Sequence, residues 1–344
     1  MKDQTQSREQ QRQTFIHENG WHNAQITALA QDASFRRYFR LTDSDNSIML
    51  MDAPPDKEAV LPFISIANHL DEIGIRAPRI LASNREQGFV LLEDMGDNTF
   101  TRLLARGDDE STLYTRAIDT LTLIRQNNKA IKPTFSDYQI PAYDFQHACD
   151  EVLLFTQWYL AAINQESGNP KPEHTDSENE FIDLWHQAFS ALPDIGTTLV
   201  LRDYHVDNLM MHDNECAVLD FQDALTGSPA YDVVSLLEDA RRDISDKVIQ
   251  QSYQRYIDLQ PELNLSDFAH HYAFWGAQRH CKVSGIFTRL WLRDKKPHYL
   301  AHLPRVLRLM FQSLEHPALT QLRQWFEKQG VKKEHPGFQA PPKI

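Results

Sequence analysis

The residues best suited to chemistry lie between Arg202 and Asp220. Leu199-Val200-Leu201 reads as an apolar strand that delivers Asp203 to a loop, Asn208 follows five positions later, and Leu209-Met210-Met211 is a second apolar run. Twelve residues beyond Asn208, the run Ala217-Val218-Leu219 delivers Asp220, with Phe221-Gln222-Asp223 behind it. Phosphoryl transfer to a hydroxyl needs a carboxylate that orients the nucleophile and takes its proton, and oxygen ligands for the metal on the phosphates. Asp203 suits the first task. The amide of Asn208 and the carboxylate of Asp220 suit the second, because a hard magnesium ion prefers such oxygens beside those of phosphate. Singly, Asp and Asn are ordinary turn residues. The ordered combination, strand, Arg-Asp, loop, Asn, strand, Asp-Phe, is what selects the chemistry.

Several elements must position that stretch. After an opening polar helix, residues 24–29 and 35–41 alternate as strands do, with 31–34 as their turn, and 47–51 is a third run ended by Ala53-Pro54-Pro55. Phe63, Ile66, Ala67, Leu70 and Ile73 mark one face of a helix. Residues 78–81 and 88–92 read as a hairpin, and Glu93-Asp94-Met95-Gly96-Asp97 as a hinge. Helical patterns cover 111–126, with Ser111 as the expected N-cap, and 145–163. A polar loop at 164–173 carries Gly and Pro. Residues 198–201 and 216–219 are β-like runs that read as one isolated hairpin among helices reaching about Gln329, and the tail at 336–344 looks unstructured. Five strands with one helix, a hinge and a helical lobe describe an α+β, protein-kinase-like bilobal fold. The boundary is expected to separate a nucleotide-binding lobe, 1–95, from a helical lobe, 96–344, that carries the catalytic loop and acceptor site.

Composition narrows the partners. A formal net charge of −13 argues against a broad phosphate-binding surface, so no nucleic acid partner is expected. Apolar stretches are too short to span a bilayer, and the polar start lacks a signal core, so no membrane association is expected. Cys149, Cys216 and Cys281 fit neither a zinc spacing nor a disulfide framework; buried thiols in a reducing cytoplasm are expected.

The runs 201–209 and 219–224, with Gly227-Ser228-Pro229-Ala230-Tyr231-Asp232-Val233-Val234 after them, resemble the signatures of the aminoglycoside phosphotransferase and choline kinase superfamily. Within it, residues 32–40, 51–55, 89–96, Gln278-Arg279 and 285–290 look most like the bacterial kinases that phosphorylate N-acetylmuramate and N-acetylglucosamine at the anomeric hydroxyl. That resemblance implies an ATP- and magnesium-dependent enzyme of cell-wall recycling, a monomer acting on a small-molecule sugar. It implies Asp203 as catalytic base and Asn208 and Asp220 as metal ligands. It also implies a hinge, Glu93 and Met95, whose backbone receives adenine, and a phosphate-covering turn with Ser34, Phe35, Arg36 and Arg37.

Two features depart from the wider kinase pattern. The turn has no glycine, and the third strand ends Met49-Leu50-Met51-Asp52 without the lysine that usually meets the phosphates. An arginine of the turn is the expected substitute. Glu58 either pairs with that arginine or meets a helix macrodipole.

Acceptor candidates are His205, Asp207, Glu151, Arg242, Gln278 and Arg279. His205 and Asp207 sit inside the catalytic loop and either touch acceptor hydroxyls or support Asp203. Asp239, Arg241 and Arg242 stand near a helix end, where an arginine either binds an acceptor carboxylate or meets the macrodipole. Glu151, Phe155, Trp158 and Tyr159 share a helix face, as sugar platform or as core. Gln278 and Arg279 sit mid-helix among aromatics and need partners if buried. Asp232 is expected to brace the catalytic loop. The alternatives are a kinase of another small alcohol, aminoglycoside-, choline- or homoserine-like, and a catalytically silent nucleotide-binding module.

Overall fold

Alternating and continuous apolar runs build the N-terminal sheet. The protein, seen in a computed structural model, is described over residues 7–29, 35–127, 134–135, 138–166, 176–334 and 338. The chain divides into two compact units, residues 1–140 with 206–224, and 141–205 with 225–344. The first cut thus falls at Ile140, not at the segment 93–97, and the chain returns to the first unit after His205.

In the first unit, α1 (Arg8–Glu18) precedes five strands: β1 (Gln25–Ala28), β2 (Arg37–Asp43), β3 (Asn46–Asp52), β4 (Ile80–Asn84) and β5 (Phe89–Glu93). They form one antiparallel sheet in the order β1-β2-β3-β5-β4. The register sets Phe39 opposite Leu50 and Leu50 opposite Leu91, so Phe39, Leu41, Ile48, Leu50, Phe89 and Leu91 share a face. α1 covers that face with Phe15 and Ile16. Burial of each contributes about 1.5–3 kcal/mol. Ser7 and Gln10 close a capping box at its start. Arg8 and Arg12 lie over Phe89 and Phe39, 3.9 and 4.2 Å from the ring centroids. Both also reach the buried Asp52, at 2.6 and 3.4 Å. The opposite face carries Tyr38, Met49 and Met51, the Tyr38 hydroxyl donating to Met51 Sδ at 3.4 Å.

α2 (Leu61–Glu72) buries Phe63, Ile64, Ile66, Ala67 and Leu70, close to the expected face. α3 (Phe100–Ala105) and α4 (Glu110–Asn127) follow, then the short pair β6 (Thr134–Phe135) and β7 (Tyr138–Gln139). Ser111 lies inside the first turn of α4. Asp109 is its cap, accepting from Thr112 N at 2.8 Å and Thr112 Oγ1 at 2.6 Å, because a carboxylate meets the positive helix end better than a hydroxyl.

The second unit opens with α5 (Phe145–Leu154), a π-helical turn (Phe155–Leu160), α6 (Ala161–Glu166) and α7 (Asp176–Ser190). β8 (Thr198–Val200) does not pair with 216–218, as expected, but with β11 (Leu225–Gly227). The expected partner is instead β10 (Glu215–Val218), which pairs with β9 (Leu209–His212) in the first unit. Asp213 and Asn214, at φ 50 and 66, supply the two left-handed positions that a tight hairpin turn requires between β9 and β10.

α8 (Ala230–Leu237), α9 (Asp246–Asp258), α10 (Leu265–Leu292), α11 (Leu303–Ser313) and α12 (Thr320–Lys328) complete the unit. α10 is buried on most of its circumference, as the central helix of such a unit must be. A Cβ at Gly285 would stand 2.3 Å from the carbonyl of Leu154, so only glycine lets α10 cross where α5 meets the π turn. Phe155 and Tyr159 are fully buried and stack at 4.9 Å; they are core, not an open platform. Most of the expected loop at 164–173 and tail at 336–344 lies outside the described residues.

Candidate active site

The loop after β8 is held from below. Asp232 of α8 accepts from Leu201 N at 2.6 Å and Arg202 N at 2.9 Å, while Ser235 Oγ donates to Arg202 O at 3.2 Å. These bonds hold Arg202 in the left-handed region, φ 70, at a cost of about 1–2 kcal/mol that a non-glycine residue bears only where its surroundings dictate it. Asp203 N then donates to Leu201 O at 2.9 Å and His205 N to Asp203 O at 3.1 Å, two tight turns that bring the Asp203 side chain outward. Asp232 is the brace the sequence suggested, and its carboxyl is pushed up to about 7 by burial, against the two backbone bonds, with the charge of Asp203 adding to the rise.

Asp203 is solvent-exposed yet closely crowded. Crowding pushes its carboxyl upward, but Lys282 first, then His205, Arg279 and Arg202, hold it below the ordinary value, so it is ionised at neutral pH. A carboxylate in that state can accept a hydrogen bond from an incoming hydroxyl and receive its proton.

Behind it lies a polar cluster centred on Glu151. Its carboxylate takes Arg202 Nη2 at 2.6 Å, Lys282 Nζ at 2.7 Å, Gln278 Nε2 at 2.9 Å and the Tyr143 hydroxyl. Burial opposes ionisation of Glu151, but Lys282 and Arg202 lower it to about 2. Glu151 and Gln278, named as acceptor candidates, bond to one another, and Glu151 also holds Arg202 of the catalytic loop. Gln278 Nε2 also donates to Ala148 O.

His205 is buried, with Nε2 3.4 Å from Arg241 Nη1; burial and then Arg241 keep it neutral. The chain bends after α8, where Arg241 N turns back to donate to Asp239 Oδ1 at 2.7 Å. Arg279 is buried near Asp203.

The residues expected to hold metal belong to the first unit. Asn208 closes a short 3-10 turn (Val206–Asn208), and its carbonyl accepts from Leu219 N at 2.9 Å. Asp220 follows at φ 56, again strained, with its carboxylate about half exposed and accepting from Gln222 Nε2 at 3.0 Å. Phe221 anchors that strain by stacking on Phe63 of α2 at 4.9 Å. Asp207 is held by the Thr101 hydroxyl of α3, which occupies the oxygen expected to meet an acceptor.

Arg36, the expected substitute for the missing lysine, lies among three acidic side chains. Its Nε lies 2.7 Å from Glu58 Oε2, and its other nitrogens lie 3.7 Å from Asp220 and 3.9 Å from Asp223. Burial works against its charge, but Glu58 outweighs it. Arg37 takes no part in this group. As the first residue of β2 it shares the parity of Phe39 and Leu41, whose side chains meet α1. Phe35 is 60% exposed, and Ser34 lies outside the described residues.

At the end of β5, Glu93 is gripped by Arg76 at 2.6 Å and Arg79 at 3.2 Å, and Arg76 is the main reason its carboxyl falls to about 2. Met95 packs with Met210, Ala217 and Leu219, and its carbonyl meets His212 Nδ1 at 3.1 Å.

The donor chemistry fits a magnesium nucleotide. Asn208 offers amide oxygen, Asp220 offers half-exposed carboxylate oxygen, and Arg36 offers a planar cation for phosphate. Among the described residues no three His, Cys, Asp or Glu side chains cluster to hold a metal by themselves. Magnesium bound through one or two carboxylates and phosphate needs no such cluster. Sequence reasoning missed Lys282. Lys282 lies one helical turn beyond Gln278 on α10, a spacing that would have found it.

The model of the phosphotransferase enzyme family matches residues 25–265. The N-acetylmuramate/N-acetylglucosamine kinase of Pseudomonas aeruginosa is 36% identical over 83% of this chain and 83% of its own length. That of Caulobacter vibrioides is 30% identical over 93% and 96%. Amicoumacin kinase in complex with AMP-PNP, Ca2+ and Ami superposes with a TM-score of 0.61 at 16% identity, covering 87% of this chain and 92% of its own, which identifies the fold as protein-kinase-like.

Proposed function

This chain belongs to the phosphotransferase enzyme family, and on that premise we propose that it transfers the γ-phosphoryl group of ATP to the anomeric hydroxyl of an amino sugar, N-acetylmuramate, N-acetylglucosamine or both. It is an ATP-dependent kinase of a small molecule. The observation that carries the substrate is the identity to kinases of these sugars over most of the chain.

Asp203 accepts the hydrogen bond of the acceptor hydroxyl and orients its oxygen toward the γ-phosphorus. As the new O–P bond forms, the bond to the β,γ-bridging oxygen breaks, ADP leaves with that electron pair, and the hydroxyl proton passes to Asp203. An anomeric hydroxyl is more acidic than an ordinary alcohol, so positioning dominates over basicity. Asn208 and Asp220 would hold magnesium, which when bound neutralises charge on the phosphates. Arg36, steadied by Glu58, meets phosphate oxygens where other kinases use lysine, and the backbone of Glu93 and Met95 receives adenine. Lys282 and Arg279 beside Asp203 disfavour a polycationic acceptor, whose ammonium groups would be repelled. The three free, buried cysteines support a reducing cytoplasm as its location.

Release of ADP over a panel of amino sugars, aminoglycosides and amino alcohols tests the proposal. Turnover with the two acetylated amino sugars is expected; turnover with an amino alcohol or aminoglycoside alone would replace it.

A further inference from the structure

Arg279 Nη1 and Asp239 Oδ2 are among the buried polar atoms near the catalytic loop that have no partner among the described residues. The residues are 4% and 2% exposed. A cationic N–H and a carboxylate oxygen left unmade in such places are costly, and folded proteins keep them where something else completes the bond. Their locations converge. Asp239 Oδ1 holds Arg241 N at 2.7 Å, and Arg241 Nη1 reaches His205 Nε2 at 3.4 Å, two residues along the chain from Asp203. Arg279 stands near enough to act on the charge of both Asp203 and His205, and Asp239 acts on that of His205. The remaining charged neighbours are committed: Glu151 to Arg202 and Lys282, and Asp232 to the loop backbone.

One vacant donor and one vacant acceptor flanking a catalytic carboxylate complement a neutral sugar ring, whose hydroxyls give and take hydrogen bonds and whose acetamido carbonyl takes them. A carboxylate does not fit as well, because Asp239 would repel what Arg279 attracts. N-Acetylmuramate differs from N-acetylglucosamine by the lactyl ether that carries such a carboxylate; the ring with its 4-hydroxyl, 6-hydroxyl and acetamido group is common to both. We infer that Asp239 and Arg279 bind this shared part of the acceptor ring and that neither of them reads the lactyl carboxylate. The inference rests on the amino-sugar reading above and adds the residues that recognise the ring.

The test uses the full-length enzyme with both sugars. Asp239→Asn and Arg279→Lys should each raise the acceptor KM about 10- to 100-fold, by the same factor for the two sugars within about threefold, while the KM for ATP stays within about twofold. With the unaltered enzyme, at least one of 4-deoxy-N-acetylglucosamine, 6-deoxy-N-acetylglucosamine and glucose should lose about tenfold or more in kcat/KM. For the analogue that lacks the partner group, adding Asp239→Asn or Arg279→Lys should cost little more. The analogues need no variant, so a substitution that prevents folding leaves the test intact. An unchanged acceptor KM, a loss confined to N-acetylmuramate, or full turnover of all three analogues would overturn the inference while leaving the kinase assignment standing. Failure of the unaltered enzyme on both sugars would overturn the two together.

Discussion

Glu58→Gln isolates the nucleotide grip. The third strand offers Ser47, Met49 and Met51 toward the face where Tyr38 lies, so no lysine meets the phosphates from there. In the proposed function that task falls to Arg36, whose aim is set by Glu58 Oε2 at 2.7 Å from Nε, with the two side chains 10% and 19% exposed. A hydrogen bond between charged groups contributes about 1.5–3 kcal/mol. Partial exposure places this one near the lower end, about 1.5–2 kcal/mol. Glutamine keeps the shape and removes the charge, and Arg36 then turns toward Asp220 and Asp223, at 3.7 and 3.9 Å, where it competes with the metal. The expected loss in kcat/KM for ATP is about 10- to 30-fold, measured with sugar saturating, and the acceptor KM should stay within about twofold. Arg36→Met should lose about 100-fold or more, since a phosphate contact goes as well. The double variant should be no worse than Arg36→Met, because the two residues act as one unit. ATP kinetics within about twofold of the unaltered enzyme for both single variants would refute the assignment of Arg36.

Gly285→Ala should destabilise the fold by at least about 2 kcal/mol, since its Cβ would meet backbone that cannot move aside, and thermal melting should record the drop. Asp232→Asn should cut kcat sharply by releasing Arg202 from its left-handed turn, with smaller effects on either KM. That variant also carries a pH signature. Asp232 is raised to about 7 from an ordinary carboxylate value, so its ionisation equilibrium favours the native state fully below about pH 4, and that contribution is lost as pH rises through about 7. The melting-temperature gap between the unaltered protein and Asp232→Asn should therefore be wider at pH 5 than at pH 7.5, and an equal gap would count against the raised value.

What the sequence disclosed follows from how far apart the cooperating residues lie. Residues 203–220 carry Asp203, Asn208 and Asp220 within one short stretch, so their order alone pointed to phosphate and metal. β2 and α2 were legible because each buries one face and shows it as a period of two or near four, and β5 because it is a short apolar run. β11 has three residues, too few to show a period, and so β8 was given the wrong partner. Arg36 and Arg37 are neighbours in sequence, but only strand parity, known once β2 is known to begin at Arg37, assigns them to different sides. Lys282 acts on Asp203 through the packing of α10, and only its spacing of four from Gln278 marks it locally.

The central claim is that Asp203 directs an anomeric hydroxyl onto the γ-phosphate of ATP. The most direct measurement is the position of the phosphate in the product formed from N-acetylglucosamine and N-acetylmuramate, read by phosphorus–carbon couplings and acid lability, for the unaltered enzyme and Asp203→Asn. A C1 phosphate from the unaltered enzyme, and a kcat lowered by about 100-fold or more in Asp203→Asn with ATP binding retained, is the predicted result. A phosphate on another hydroxyl, or an Asp203→Asn enzyme that turns over at nearly the original rate, would contradict it.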